Sequence, residues 1–180
     1  VIDNSVDEFI MGQGRKIVVE RDENNVSIRD YGRGIPLGKV IDCVSKINTG
    51  GKYNDDVFQF SVGLNGIGTK AVNALSANFE VCSWRSGRYK RATFEQGRLT
   101  GEKNGRDAKQ QDGTRITFTP DPEIFGELSW NEEYIEHRLR YYAYLNTGLS
   151  LVYNGRTFKS KFGLKDLLEE ELDDVTSLYP

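Results

Sequence analysis

Histidine, cysteine and methionine are scarce in this chain: its 180 residues hold one His, two Cys and one Met, with only four Pro. The single histidine, His137, sits beside Glu133 and Arg138, and no nucleophile is placed by sequence to partner it, so a catalytic triad has no support. Cys43 and Cys82 lie far apart, with no CxxC pair and no histidine cluster. They read as reduced thiols of a cytosolic protein rather than as a disulfide. No apolar run approaches the length of a membrane span and no signal-peptide pattern opens the chain, so a cytoplasmic protein with no membrane partner is expected. Positive charge is not in surplus either: 24 Lys and Arg stand against 27 Asp and Glu, a net charge of −3. A protein whose main task is to hold DNA phosphates normally carries a basic excess, so any grip on DNA is expected to lie elsewhere.

What is present is a globular composition, 37% hydrophobic and 28% charged, at a length that suits one domain. There is no initiator Met. Ile2, Val6, Phe9 and Ile10 recur at helical spacing with no cap before them, so the chain reads as a fragment that starts inside, or at the edge of, a helix.

The pattern predicts helices over 2–12, 38–47, 67–75, 131–145 and 164–172. It predicts strands over 16–20, 26–30, 79–84, 89–95, 114–119, 149–153 and 156–159, with a further short strand over 98–101. Asn154-Gly155 is a strong hairpin turn, and the DENN segment and Ser86-Gly87 are further turns. DYGRGIP, residues 30–36, is a turn because two glycines and a proline forbid regular structure there. Residues 48–66 read as a mobile loop and 103–112 as a polar one. Most strand pairs are hairpin-connected, which suits an α+β sandwich, a mixed and mostly antiparallel sheet with helices on one face, better than an alternating βαβ fold.

The segment FSVGLNGIGTKAVNALS concentrates glycine at Gly63, Gly66 and Gly68 directly before a helix. Such loops hold phosphate well, because glycine admits close backbone approach and the first helical N–H groups are unpaired. A P-loop would need Lys before Ser/Thr, whereas Thr69-Lys70 stands in the reverse order. Gly66, Gly68 and Ala71 match a dinucleotide fingerprint by spacing, but the βαβ unit is missing and the nearest acid, Glu80, is too close. A glycine hinge before a core helix is the plain alternative. Upstream, the first helix carries Asn4 and Glu8 on one stripe and Asp3 and Asp7 on the next. Asn4 offers a hard neutral oxygen suited to magnesium, and a solvated face is the alternative reading. Asp30, at a strand end before two glycines, is placed to accept from an exocyclic amine while a flat base approaches the backbone, or else is a turn aspartate. Arg85, Arg88, Lys90 and Arg91 form a basic cluster that reads as a charged strand edge in preference to a nucleic-acid patch. Glu169, Glu170, Glu171, Asp173 and Asp174 read as a solvated acidic face.

In order, VIDNSVDE, DYGRGIP, NTGGKY, VGLNGIGTKAVNALS and DGT resemble the motifs of the GHKL ATPases, and most closely the ATPase domain of type IIA topoisomerase B subunits, those of bacterial gyrase and topoisomerase IV. The resemblance spans essentially the whole chain, so that 1–180 is expected to be one GHKL ATP-binding domain. It implies a Bergerat fold, a two-layer sandwich binding ATP and Mg2+ between helices and a lid. It makes Asn4 the magnesium ligand and Asp30 the acceptor of the adenine amine. Glu8 and Arg33 become a pair flooring the pocket, with Gly34 in the turn and Ile35 and Pro36 as its wall. Thr114 helps to read the base and Lys52 belongs to the lid. Gly63, Leu64, Asn65, Gly66, Ile67, Gly68 and Thr69 wrap the triphosphate, and Arg85 stands at the pocket mouth, where aminocoumarin-type inhibitors bind. The partners implied are a topoisomerase A subunit, a second B subunit, and DNA through the holoenzyme.

The sequence departs from the family in places. The glutamate that acts as general base in the family precedes the position of Val1, and the lysine of the following transducer domain and the N-terminal arm are not in the chain. This predicts a fragment that binds ATP without turning it over. Asn65 stands where bacterial members usually have His, and the segment between Pro36 and Asn48 is short. Two other readings remain: another GHKL module, of chaperone, mismatch-repair or histidine-kinase type, and a dinucleotide-binding oxidoreductase.

Overall fold

Three two-residue turns set the strand pairing. Ser86-Gly87, Gln96-Gly97 and Asn154-Gly155 each place both residues at positive φ, the twist that joins antiparallel neighbours without splaying them. The structure, a computed structural model, describes residues 1–46 and 67–172. In chain order the elements are α1 (Ile2–Ile10), β1 (Lys16–Asp22), β2 (Asn25–Asp30), a 3-10 turn (Leu37–Lys39), α2 (Val40–Ser45), α3 (Ile67–Ala74), β3 (Ser76–Arg85), β4 (Arg88–Glu95), β5 (Arg98–Arg106), β6 (Gly113–Pro120), α4 (Pro122–Phe125), α5 (Glu132–Leu145), β7 (Ser150–Tyr153), β8 (Arg156–Phe158) and α6 (Leu164–Glu171).

Among the described residues the strands form one eight-stranded sheet in the order β5-β4-β3-β6-β2-β1-β7-β8. Every pairing is antiparallel except β1 with β7, where Val18 faces Val152. Alternation along the strands divides the sheet into two faces. One face carries Ile17, Val19, Val26, Ile28, Leu151 and Tyr153, buried beneath Val6 of α1 and Leu139 and Ala143 of α5. On the same face, Phe79, Val81, Phe94 and Ile116 meet Val40 and Val44 of α2. Phe79 and Phe94 touch edge to face with ring centres 5.9 Å apart. The α+β sandwich with helices on one face is therefore the observed architecture.

Several elements differ from the sequence reading. The strand expected to end at residue 101 runs on to Arg106 into the supposed polar loop. It is an edge strand exposed on both faces, so pairing with β4 rather than apolar alternation specifies it. β3 begins at Ser76, three residues early. The helix expected over 38–47 is a 3-10 turn followed by the short α2. α4 was not foreseen; Asp121 caps it by accepting from the Glu123 amide at 2.9 Å, with Pro122 at its first position. The acidic last helix is exposed, as expected; Glu170 also bonds Arg140 and Tyr144 of α5 and Glu171 bonds Tyr141, while Asp173 and Asp174 lie outside the described residues. Burial pushes the Cys82 thiol up to about 11, in keeping with a reduced, unreactive residue.

Candidate functional site

β2 ends and β6 begins as antiparallel neighbours, and Asp30 lies at that junction, only 7% exposed. Its Oδ1 accepts the backbone amides of Gly32, at 3.0 Å, and Thr114, at 3.1 Å. Its Oδ2 accepts the Ser5 hydroxyl of α1 at 3.4 Å. Burial raises the Asp30 pKa, while the two amides and the nearby Arg29 guanidinium pull it down. The carboxylate is thus oriented by fixed backbone donors and held in a poorly solvated place, where a hydrogen bond to it is strong.

The turn after Asp30 is tied to α1 by Glu8. Its Oε2 accepts the Arg33 amide at 2.9 Å and Nε at 3.2 Å, and its Oε1 accepts Nη2 at 2.8 Å. This fork raises the Arg33 pKa. The turn has no room for larger residues. A Cβ on Gly32 would lie 2.7 Å from Glu8 Oε2, and one on Gly34, which has φ +73°, would lie 2.5 Å from the Trp84 carbonyl oxygen. Ser83 of β3 donates its hydroxyl to the Ile35 carbonyl at 2.7 Å, which fixes Ile35 and Pro36 against the sheet. Arg85 lies two residues beyond Ser83 on the same face of β3, at the hairpin end.

α3 closes the group. Asn4 Nδ2 donates to the Thr69 hydroxyl at 2.8 Å, joining α1 to the first turn of α3, where Ile67 and Gly68 also stand. With its nitrogen on Thr69, the Asn4 side chain has its carbonyl oxygen left for a hard cation. No group of three or more His, Cys, Asp or Glu that would cage a metal occurs among the described residues. That donor set fits magnesium, which takes one or two protein oxygens and completes its shell from phosphates and water. Farther along α3, the buried Asn73 donates to the Val44 carbonyl at 2.9 Å and binds α3 to α2.

The structure thus brings together Asn4, Glu8, Asp30, Arg33, Gly34, Ile35, Thr69 and Thr114. Lys52, Gly63, Leu64, Asn65 and Gly66 lie outside the described residues. Ser5, Ser83 and Asn73 were not singled out from sequence. Ser5 had a signal, since it stands one residue after Asn4 on a helix that faces Asp30; the other two had none, because their partners are main-chain carbonyls far away in sequence. The basic cluster of the β3–β4 hairpin is not one patch: Lys90 and Arg91 point to opposite faces, where they pair with Glu102 and Glu80 respectively.

No protein-family model matches the chain. It is 55% identical over 179 residues to the B subunit of DNA topoisomerase 4 from Borreliella burgdorferi, a match covering 99% of this chain and 30% of that protein. It is 38% identical over 167 residues to the B subunit of DNA gyrase from Thermus thermophilus, covering 87% of this chain and 26% of that one. Among solved structures it is similar to the 43K ATPase domain of Thermus thermophilus gyrase B in complex with an aminocoumarin, with a TM-score of 0.83 and 31% identity over 99% of this chain and 49% of that one. It is also similar to the topoisomerase IV ATP binding domain of Francisella tularensis in complex with a small-molecule inhibitor, with a TM-score of 0.78 and 28% identity over 96% of this chain and 50% of that one. The chain therefore spans about 30% of the length of the curated relatives and half that of the crystallised domains.

Proposed function

We propose that this chain, which by these likenesses belongs with the type IIA DNA topoisomerase B subunits in their ATPase region, is a single ATP-binding domain whose cleft lies between α1, the turn after β2, the start of β6 and the N-terminus of α3. The observation that carries the reading is Asp30, a buried carboxylate whose one oxygen is fixed by two backbone amides, leaving the other to accept from the adenine amine. Thr114 flanks the base. Gly32 and Gly34 let it approach the main chain, and Glu8 and Arg33 form the floor beside Ile35 and Pro36.

The triphosphate then runs toward Asn4 and Thr69. Asn4 would hold Mg2+, which would neutralise phosphate charge when bound. The amides of Ile67, Gly68 and Thr69 at the start of α3 would donate to phosphate oxygens. Gly63, Leu64, Asn65, Gly66 and Lys52 are assigned to the same phosphates on sequence alone. Arg85 would stand at the pocket mouth, where an aminocoumarin-type inhibitor would reach it.

In the longer protein, nucleotide binding and hydrolysis would close a clamp of two B subunits and drive passage of a DNA segment through a break made by an A subunit. That assembly would act in the cytoplasm; among the described residues no helix is long and apolar enough to cross a membrane. Other GHKL modules and the oxidoreductase reading are not favoured by the likenesses found. Titration of the chain with ATP and with NAD, each with and without Mg2+, tests the proposal. It expects Mg2+-enhanced ATP binding that Asp30→Asn removes; equal binding of NAD, or ATP affinity unchanged in that variant, would overturn it.

A further inference from the structure

One face of the sheet carries no helix among the described residues, and it bears a row of cations. Cross-strand register aligns Lys103 of β5 with Arg91 of β4, Arg91 with Cys82 of β3, Cys82 with Arg115 of β6, and Arg115 with Arg29 of β2. Four of five consecutive strands thus place a positive side chain at one level of the sheet. Strands lie about 4.8 Å apart, so the row extends about 19 Å. Like charges side by side are unfavourable in a sheet, and the compensation is thin. Glu80, in the neighbouring row, pairs with both Arg91 and Arg115. Lys103 makes no ion pair among the described residues. Aromatic rings support the row from the other side: the Arg29 guanidinium carbon lies 4.4 Å from the Trp84 ring centre and 4.8 Å from that of Tyr31, and Arg115 lies 5.4 Å from Trp84. Lys16 lies 6.0 Å from Tyr31, and Arg15, Lys16, Tyr31 and Gln111 line a cleft of about 350 Å³ at the end of the row. Arg29 Nη2 donates to the Gln111 carbonyl at 2.6 Å, whereas among the described residues Arg29 Nη1 and Arg115 Nε are buried without a partner. The chain is acidic overall, so this concentration is local.

We propose that this face binds the phosphodiester backbone of duplex DNA without regard to sequence. The proposal concerns a surface opposite the cleft and does not depend on nucleotide binding. Evenly spaced cations in line complement a linear polyanion, and guanidinium forks match phosphate oxygens in pairs. A row of about 19 Å is long enough to reach phosphates on both walls of a major groove about 12 Å wide. Trp84 is only 7% exposed and faces guanidinium groups, so it offers no open ring for an unstacked base. That favours the duplex over a single strand. Arg29, equally buried, supplies field rather than contact; Arg91, Lys103, Arg115, Lys16 and Arg15 make the contacts.

The test is fluorescence anisotropy of a labelled random-sequence duplex of about 20 base pairs titrated with the 180-residue chain over about 50–200 mM salt. The expected result is binding whose log–log salt slope corresponds to several phosphates, at about −0.9 per contact. Removing two charges with R91Q and K103Q together flattens the slope by about two contacts and weakens binding at least tenfold at low salt. The opposite change, Glu80→Gln, removes the carboxylate that pairs with the row and tightens binding, which a merely disturbed fold would not do. ATP affinity, read in parallel, stays unchanged in all these variants. Absence of duplex binding, binding indifferent to R91Q/K103Q and to Glu80→Gln, or tighter binding of a polyglutamate peptide than of DNA would each overturn the proposal.

Discussion

The Thr114 amide donates to Asp30 Oδ1 at 3.1 Å across the β2–β6 junction, although the two residues are 84 positions apart. That bond fixes which carboxylate oxygen faces the sheet and which faces the cleft. It also makes Asp30→Asn an unusually clean substitution. An asparagine can turn its oxygen to the Gly32 and Thr114 amides and keep both bonds, which leaves its NH2 where, in the proposed site, the adenine amine would donate. Two donors then face each other, and a charge-assisted bond worth about 1.5–3 kcal/mol is lost as well. Nucleotide affinity is expected to fall at least about 100-fold in isothermal titration, while the fold persists.

Stability should move the other way in the same variant. Burial raises the Asp30 pKa in the folded chain. A carboxyl whose folded value lies above its unfolded value favours the fold below the unfolded pKa and loses that contribution as pH rises through the folded one. At neutral pH the ionised group is therefore a net cost to the fold, and an amide of the same shape avoids it. Urea denaturation at pH 7 should show Asp30→Asn at least as stable as the parent, with the difference closing as pH drops through the Asp30 transition. A variant markedly less stable at pH 7 would mean that Asp30 holds the fold together rather than the ligand.

How much of this was readable beforehand follows from which interactions are local. Asp30, Arg33 and Gly34 sit in one short turn and Glu8 shares a helical stripe with Asn4, which spacing alone shows; that the helix and the turn meet was implied by the resemblance of the ordered motifs to a known family. The antiparallel sheet was legible from turns such as Asn154-Gly155, where both residues take positive φ. β5 was not, because an edge strand exposed on both faces has no apolar period to read and is specified by β4 alone. Ser83 and Asn73 were invisible for a similar reason: each bonds a main-chain carbonyl, at Ile35 and Val44, and any sequence offers carbonyls everywhere. The cation row was hidden by register. Lys103, Arg91, Arg115 and Arg29 are scattered along the chain, while the apparent cluster at Lys90-Arg91 is split between two faces.

Nucleotide binding should weaken as the solution is acidified. In the proposed site the adenine amine would donate to an ionised Asp30, so ligand binding would favour the charged form, and affinity should be retained above the free protein's raised pKa and lost as pH falls through it. The nucleotide's own phosphates and base titrate too, so the informative measurement is a comparison. Ser5 donates to Oδ2 at 3.4 Å and favours the charged form. Ser5→Ala should therefore move the midpoint of the affinity-versus-pH curve to higher pH, against an identical nucleotide contribution. Superimposable curves would remove Asp30 protonation from the account.

Asn4→Ala separates magnesium from base recognition. Asn4 is exposed and, among the described residues, its side chain reaches only the Thr69 hydroxyl, so its loss should leave thermal stability within about 0.5 kcal/mol. The expected effect is confined to the metal: the affinity gained on adding Mg2+ to ATP should shrink about tenfold, with affinity in EDTA nearly unchanged. A parallel loss with and without the metal would instead assign Asn4 to positioning α3 through Thr69.

The glycines of the turn give a graded test of backbone fit. Gly12 and Gly34 have nearly the same φ, +78° and +73°, but nothing lies within 4 Å of a Cβ built on Gly12, whereas one on Gly34 would meet the Trp84 carbonyl at 2.5 Å and the Ser83 Oγ at 2.9 Å. Gly12→Ala carries only the left-handed conformational cost, about 1–2 kcal/mol. Gly34→Ala carries that cost and must also displace main chain of β3, and the Ser83 bond to Ile35 resists the shift. Its destabilisation in chemical denaturation should exceed that of Gly12→Ala by about 1–3 kcal/mol, the range for overpacking a filled site. The clash falls where Ile35 and Pro36 wall the proposed base pocket, so nucleotide affinity should fall in Gly34→Ala even where the protein remains folded, and hold in Gly12→Ala. Equal destabilisation by the two substitutions would show that β3 yields freely and that the turn is not held as tightly as the contacts around Gly34 require.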